Sequence, residues 1–195
     1  MTKSIAQILR NPLFYFSEAD IHSFVYSAAV RNDSSLTMPT ETNVSIGLNR
    51  NNDMSSVMYK TIRIHREYGV NGIDYARYDL AIFSEDEIAA ITDPINLKKG
   101  KGKNEYLQPD FIIEFGTEKS AGSVNQFEEH IIGDLSKVAK AKCKGYIIHI
   151  QRVYNRDNDL GKYDEYVQIL NRAIADIANK KIKVVFAAAG FLLFF

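Results

Sequence analysis

Two short apolar segments each carry one carboxylate at a position where a strand would normally have an apolar residue. Asp79 directly precedes the run Leu-Ala-Ile-Phe, and Glu114 lies inside the run Phe-Ile-Ile-Glu-Phe. A carboxylate within an apolar strand is costly unless it is paired, hydrogen-bonded or bound to a cation. If the two strands are neighbours, the two acids predict a divalent metal site with oxygen ligands. The alternative is that each acid faces water at a strand end or forms half of an ion pair.

The composition is that of one ordinary globular domain spanning residues 1–195, with 46% apolar and 25% charged residues. The net charge of zero argues against a strongly basic nucleic-acid binder, although a local basic patch is compatible with it. The single Cys143 cannot form an internal disulfide, which favours a reducing compartment, so we expect a cytoplasmic protein without a signal peptide. The apolar tail, residues 184–195, is too short to cross a bilayer and is expected to be a strand or a homodimer interface.

The spacing of apolar and capping residues predicts an α/β fold. Ser17 and Asp20 form a capping-box pattern before a helix with an inward apolar stripe. Residues 31–56 read as a loop that could hold a short strand at 43–48. We expect strands at 58–68, around Asp79, around Glu114, at 146–153 and at 181–190. Amphipathic helices are expected at 123–142 and 165–179. The resulting order, α-β-β-β-α-β with a C-terminal helix and strand, predicts a central mixed sheet flanked by helices on both faces.

This order of elements, together with the positions of the acids on them, resembles the PD-(D/E)XK nuclease superfamily over roughly residues 17–153. The family pattern has a glutamate on the first core helix, an aspartate on the second core strand and Glu-x-Lys on the third. Glu18, Asp79 and Glu114 stand at the matching positions. The resemblance implies a restriction-endonuclease-like core and a nuclease that cleaves DNA phosphodiesters with Mg²⁺ or Mn²⁺. It further implies Asp79, Glu114 and the backbone carbonyl of Phe115 as metal ligands, with Glu18 as a further catalytic acid.

The chain departs from the family pattern at Gly116, which stands where the family has its catalytic lysine. Lys119 follows three residues later and is the nearest replacement in sequence. A lysine could also come from another element, with Lys60, Lys101 and Lys103 as candidates. A lysine amine close to the Asp79 and Glu114 carboxylates would distinguish an active site from a degraded one.

Asp110 is a competing candidate for the metal aspartate, and Glu18 has an alternative explanation. Asp110 follows a proline as in the family name, but it precedes Glu114 by four residues, roughly 13 Å at about 3.3 Å per residue, which is too far for one ion. Asp79 is therefore the preferred metal aspartate. Glu18 could instead be an ordinary first-turn acid that the helix dipole favours.

A basic loop and a polar helix face complete the candidate site. The residues expected to contact the DNA backbone are Lys98, Lys99, Lys101, Lys103 and Arg152. Gln126 and His130 recur with Asp134 every four residues along one helix face and are further site candidates. The alternative for both groups is an ordinary solvated surface. His149 is expected to be a hydrogen-bonded strand residue.

Three functions remain open. The first is an active nuclease with a relocated lysine, and the second is a nuclease-fold protein that has lost catalysis and serves as a binding or assembly module. The third is an unrelated metabolic α/β enzyme, which is disfavoured because the chain has neither a glycine-rich phosphate loop after a strand nor a Gly-x-Ser-x-Gly elbow.

Overall fold

The computed structural model describes residues 17–47, 54–69, 76–90, 107–119, 124–141, 143–152, 156–175, 181–188 and 191–194. Within these ranges the α-helices are α1 (Glu18–Asn32), α2 (Glu85–Ala89), α3 (Val124–Ala141) and α4 (Arg156–Ala175), with a 3-10 turn at Ser34–Thr37. The strands are β1 (Thr40–Gly47), β2 (Met54–Thr61), β3 (Ile64–Gly69), β4 (Arg77–Ile82), β5 (Phe111–Lys119), β6 (Lys144–Arg152), β7 (Ile182–Ala188) and β8 (Phe191–Phe194).

Six of these strands form one mixed sheet in the order β3-β4-β5-β6-β7-β8. The first three are antiparallel neighbours, and β5, β6 and β7 run parallel because α3 and α4 carry the chain back between them. β8 pairs antiparallel with β7 and ends the described sheet. The predicted α/β class with a central mixed sheet is confirmed.

Helices pack on both faces of the sheet, as predicted. On one face α3 and α4 bury Phe127, Ile131 and Leu170 against Ile112 and Phe186 of the sheet. On the other face α1 buries its own apolar stripe against the remaining strand side chains, and the residues involved include Ile21, Val25, Ile113, Phe115, Ile148 and Val185. Consecutive residues of β5 therefore point into different cores, because side chains alternate along a strand.

The start of α1 follows the predicted capping box. The Ser17 hydroxyl accepts a hydrogen bond from the Asp20 amide at 3.2 Å, and the Asp20 carboxylate accepts one from the Ser17 amide at 2.8 Å. Two backbone donors that a helix start leaves without partners are thereby satisfied. The capping box fixes where α1 begins and so fixes the position of Glu18 in its first turn.

A strand is present at Thr40–Gly47, where a short strand was expected within the loop over residues 31–56, but the loop prediction is wrong at both ends, which belong to α1 and β2. Thr40–Gly47 pairs antiparallel with Met54–Thr61 as a separate two-stranded sheet, because threonine and valine tolerate extended backbone even within a polar sequence. The single strand predicted over 58–68 is divided at Arg63. Its amide donates to the Leu36 carbonyl at 3.0 Å and its side chain to the Phe83 carbonyl at 2.9 Å, which holds the chain in a bend.

Two C-terminal predictions have different outcomes. The helix expected from residue 165 begins at Arg156, so the loop expected before it is helical from that residue onward. The prediction that the start of the tail is a strand is confirmed, because Val184 and Phe186 are buried in the sheet. No helix among the described residues is apolar over enough of its length to cross a membrane.

Candidate active site

Asp79 lies at an interruption of both strand ladders that flank β4. The β4–β5 pairing ends at Leu80–Ile113, so the next pair in register would be Asp79 opposite Glu114. On the other side, the β3–β4 pairing skips Asp79 and Glu67. Glu67 has a positive φ of 53°, a left-handed conformation that costs a non-glycine residue about 1–2 kcal/mol. The sheet therefore opens around Asp79 and leaves its backbone and side chain available for other partners.

Those partners come from β5 and α1. The Asp79 carboxylate accepts a hydrogen bond from the Phe115 amide at 2.6 Å, and the Asp79 carbonyl accepts one from Nε2 of the buried His22. The Arg66 guanidinium lies 2.9 Å from Nδ1 of His22. Because a guanidinium can only donate, Nδ1 must accept and the proton must lie on Nε2. This arrangement sets the tautomer of His22 and ties α1 to the strand that carries Asp79.

Glu114 is completely buried beneath this opening. Burial, together with the nearby Asp79 carboxylate, raises the pKa of Glu114 to about 9. One of its oxygens, Oε2, accepts a hydrogen bond from the Lys137 ammonium. The other, Oε1, has no hydrogen-bond partner among the residues that the structure describes. A buried carboxylate oxygen without a donor is an acceptor that a cation or a water molecule could satisfy.

Lys137 reaches Glu114 from the C-terminal half of α3, three residues after Asp134. Besides Glu114, its ammonium lies 2.9 Å from Asp134 Oδ1 and 3.5 Å from the Arg77 carbonyl. An ammonium has three donors, so these acceptors from α3, β4 and β5 can satisfy all of them. Burial opposes the charge, but the ionised Asp134, together with the hydrogen bond to Glu114, outweighs it and raises the pKa of Lys137, so the group stays protonated at neutral pH.

Asp134 divides its two oxygens between two partners. Oδ1 contacts Lys137, and Oδ2 lies 3.0 Å from Nε2 of His149, a fully buried residue of β6. Burial alone would raise the pKa of Asp134, but His149 and Lys137 hold it below its ordinary value. Asp134 is therefore an ionised carboxylate that links α3 to the sheet.

The His149 imidazole occupies the space in front of Gly116. The two residues are register partners in the parallel β5–β6 pair. A Cβ atom built on Gly116 would lie less than 3.0 Å from three ring atoms of His149, closer than real Cβ contacts. The absence of a side chain at 116 is thus a packing requirement of His149 in this fold.

These groups surround a cavity of about 570 Å³. Its wall includes Glu18, Asp79, His130, Asp134, Lys137 and His149. Burial raises the pKa of Asp79 against the opposing effect of the Phe115 amide. Burial raises the pKa of Glu18, and repulsion from Asp79 adds a smaller effect in the same direction. Burial is the main cause of each of these raised pKa values, and repulsion between the neighbouring carboxylates adds to it for Glu18 and Glu114.

The predicted site residues fall into three groups. Glu18, Asp79, Phe115 and His130 line the cavity, with Glu114 buried beside it, whereas Gln126 is exposed on α3 and is not part of the wall. Lys119 and Arg152 are register partners at the ends of β5 and β6, and Lys60 lies in β2. The remaining lysines predicted to bind DNA, Lys98, Lys99, Lys101 and Lys103, lie outside the described residues.

Sequence reasoning did not identify Lys137 as a site residue, and it did not include Asp134 or His149 among the predicted site residues. Asp134 had been placed on the helix face shared with His130, and Lys137 follows it at the i, i+3 spacing that brings helix side chains together. That spacing was the available signal for Lys137. His149 is hydrogen-bonded as predicted, but its contact with position 116 depends on the β5–β6 register.

The carboxylate oxygens of the cavity are ligands of the type that a hard divalent cation binds. They are not arranged around one common point. Among the described residues, no group of three or more His, Cys, Asp or Glu side chains has the arrangement of a metal site. In favour of an ion are the carboxylates of Glu18, Asp79 and Glu114 and the Oε1 atom of Glu114, which has no hydrogen-bond partner among the described residues. Oxygen donors of this kind suit Mg²⁺ or Mn²⁺.

Comparison with known proteins assigns no family to the chain. No protein-family model matches the sequence, and no curated protein matches it. Function therefore has to be inferred from the chemistry of the cavity and from the positions of its residues in the fold.

Proposed function

We propose that the protein is a Mg²⁺- or Mn²⁺-dependent nuclease with a restriction-endonuclease-like core, in which Lys137 replaces the missing strand lysine. The observation that carries the proposal is the contact between the Lys137 ammonium and Glu114. It brings an amine to the acid pair although Gly116 has no side chain. The order of α1, three antiparallel strands, α3 and a parallel β6 supports the same fold family.

Asp79 and Glu114 would hold the ion, with Glu18 and the Phe115 carbonyl as further oxygen donors from the cavity wall. A bound divalent ion supplies positive charge that lowers the pKa of a nearby water and offsets charge on the phosphate. The Asp79 contact with the Phe115 amide keeps β5 in place beside the acids. His22 and the capped start of α1 keep Glu18 at the same opening.

Lys137 would act as a charged donor and not as a base. Because Asp134 and Glu114 raise its pKa, the amine does not release its proton at neutral pH. A fixed ammonium can hold a phosphate oxygen or orient water, and loss of one such donor typically costs about 10²–10³ in rate. Arg152 and the lysines at 98, 99, 101 and 103 would bind the DNA backbone.

The second candidate is a catalytically degraded binding or assembly module. It is favoured by the satisfied Lys137 ammonium and by the lack of a three-donor arrangement among the described carboxylates. In that case Lys137 neutralises the acids permanently and takes the place of the ion. The two candidates make opposite predictions for cleavage and for Mn²⁺ binding.

The test is a plasmid-nicking assay with Mg²⁺ or Mn²⁺, with EDTA as the blank, alongside Mn²⁺ binding measured by calorimetry. We expect Asp79→Ala and Glu114→Ala to abolish both cleavage and Mn²⁺ binding. Lys137→Met should lose cleavage by about 10²–10³ while it retains Mn²⁺ binding. Lys140→Met is the matched control, because it removes an exposed lysine from the same helix and should leave both unchanged.

Wild-type protein that neither cleaves DNA nor binds Mn²⁺ would rule out the nuclease and favour the binding module. Gly116→Lys is a poor rescue experiment in either case. The new side chain would collide with His149, so a loss of activity in that variant would report a packing defect.

A further inference from the structure

A chain of polar contacts runs from β6 through α3 to Glu114. His149 contacts one oxygen of Asp134 at 3.0 Å, and the other oxygen contacts Lys137 at 2.9 Å. Lys137 in turn contacts Glu114. His149 is fully buried, and the side chains of Asp134 and Lys137 are only 15% and 21% exposed, so water competes little for these contacts. Asp134 and Lys137 each contact two members of this chain, which therefore connects β6, α3 and β5 through side chains.

Lysine has a long side chain with many rotamers, and ordering such a side chain costs up to about 2 kcal/mol. A single contact with Glu114 would leave the amine several alternative positions. Asp134 removes that freedom because it lies one helical turn away and is itself held from the sheet by His149. The Phe127 ring packs at 5.8 Å against the imidazole with an interplanar angle of 89°, which limits rotation of His149.

We propose that Asp134 and His149 are positioning residues that hold the Lys137 amine at Glu114, and that Gly116 is glycine because His149 needs its space. Gly116 is on this account part of a rearranged site and not the remnant of a lost lysine. The inference rests on the proposed function only for its catalytic consequence. The placement of the amine can be measured without any cleavage.

The placement test compares how fast an amine-acetylating reagent labels Lys137 in wild type, Asp134→Asn and His149→Phe, by quantitative mass spectrometry. Asn and Phe keep the approximate size of the side chains they replace, and urea unfolding identifies any variant that does not fold. We expect Lys137 to be labelled about tenfold faster in both variants, because a hydrogen bond to a charged group is lost or loosened. Lys140 on the same helix is the internal control and should be labelled at the wild-type rate.

The catalytic test uses the same variants in the Mn²⁺ nicking assay. A positioning role predicts a fall in kcat with an unchanged KM, since the amine would act in the reaction step and not in binding of the DNA backbone. Asp134→Glu, which keeps the charge, should recover part of the kcat that Asp134→Asn loses.

Wild-type labelling of Lys137 in folded Asp134→Asn would overturn the proposal. If one variant does not fold, the other carries the same expectation. Faster labelling with no cleavage by any protein, wild type included, would retain the positioning inference and reject the nuclease. Cleavage by wild type with kcat unchanged in Asp134→Asn would reject the positioning role and retain the nuclease.

Discussion

Replacing Glu114 by glutamine should change how the stability of the protein depends on pH. Burial and the Asp79 carboxylate raise the pKa of Glu114 from 4.5 to about 9. Glutamine has almost the same size and can still accept a hydrogen bond from Lys137, but it cannot ionise. The substitution therefore isolates the free energy of ionising this one side chain.

The magnitude follows from proton linkage. Between pH 4.5 and about 9 the glutamate is ionised in the unfolded chain and protonated in the folded protein, so folding takes up one proton. A carboxyl group with a raised pKa contributes its full stability at low pH and loses it as the pH rises. The loss is about 1.4 kcal/mol for each pH unit in that window. Between pH 5.5 and 7.5, wild type should lose at most about 3 kcal/mol relative to Glu114→Gln.

The assay is urea unfolding followed by circular dichroism at pH 5.5, 6.5 and 7.5, with EDTA present to exclude divalent ions. The difference between the two proteins is the measured quantity, since other carboxylates titrate equally in both. Lys140→Met controls for a change of charge on the neighbouring helix. Equal dependence of stability on pH in wild type and Glu114→Gln would refute the raised pKa of Glu114.

Three further substitutions test individual contacts by thermal or urea unfolding. Gly116→Ala should cost about 1–3 kcal/mol through its clash with His149, and a smaller cost in a His149→Ala background would identify the cause. Phe127→Ala should cost about 3–5 kcal/mol because the ring is fully buried, whereas wild-type stability would mean that α3 does not pack as described. Ser17→Ala should cost about 1 kcal/mol by removing the cap of α1, and Ser17→Gly should cost less; equal losses would contradict a capping role.

Local patterns were sufficient for much of the fold. The capping box located the start of α1, and the apolar stripe located α3. The β1–β2 pair was missed because its sequence is polar, and its strands are stabilised by pairing with each other. The division at Arg63 depends on contacts with Leu36 and Phe83, which no local pattern contains.

For the site, the cost of burying a carboxylate identified Asp79 and Glu114 from sequence alone. The partner of Glu114 could not be identified in the same way. Lys137 is 23 residues further along the chain, and only the packing of α3 on the sheet brings it back. The meaning of Gly116 likewise depends on its register with His149, since a shift of one residue would point the imidazole to the other face.

The division of the site between two parts of the fold has a consequence for local unfolding. Glu114, Asp134, Lys137 and His149 all belong to the consecutive β5–α3–β6 segment, which is a natural cooperative unit for hydrogen exchange. Glu18 and His22 belong to α1, whose opening would remove them without disturbing the lysine contacts. An opening confined to α1 would therefore loosen that side of the cavity while the ammonium keeps its contacts with Asp134 and Glu114.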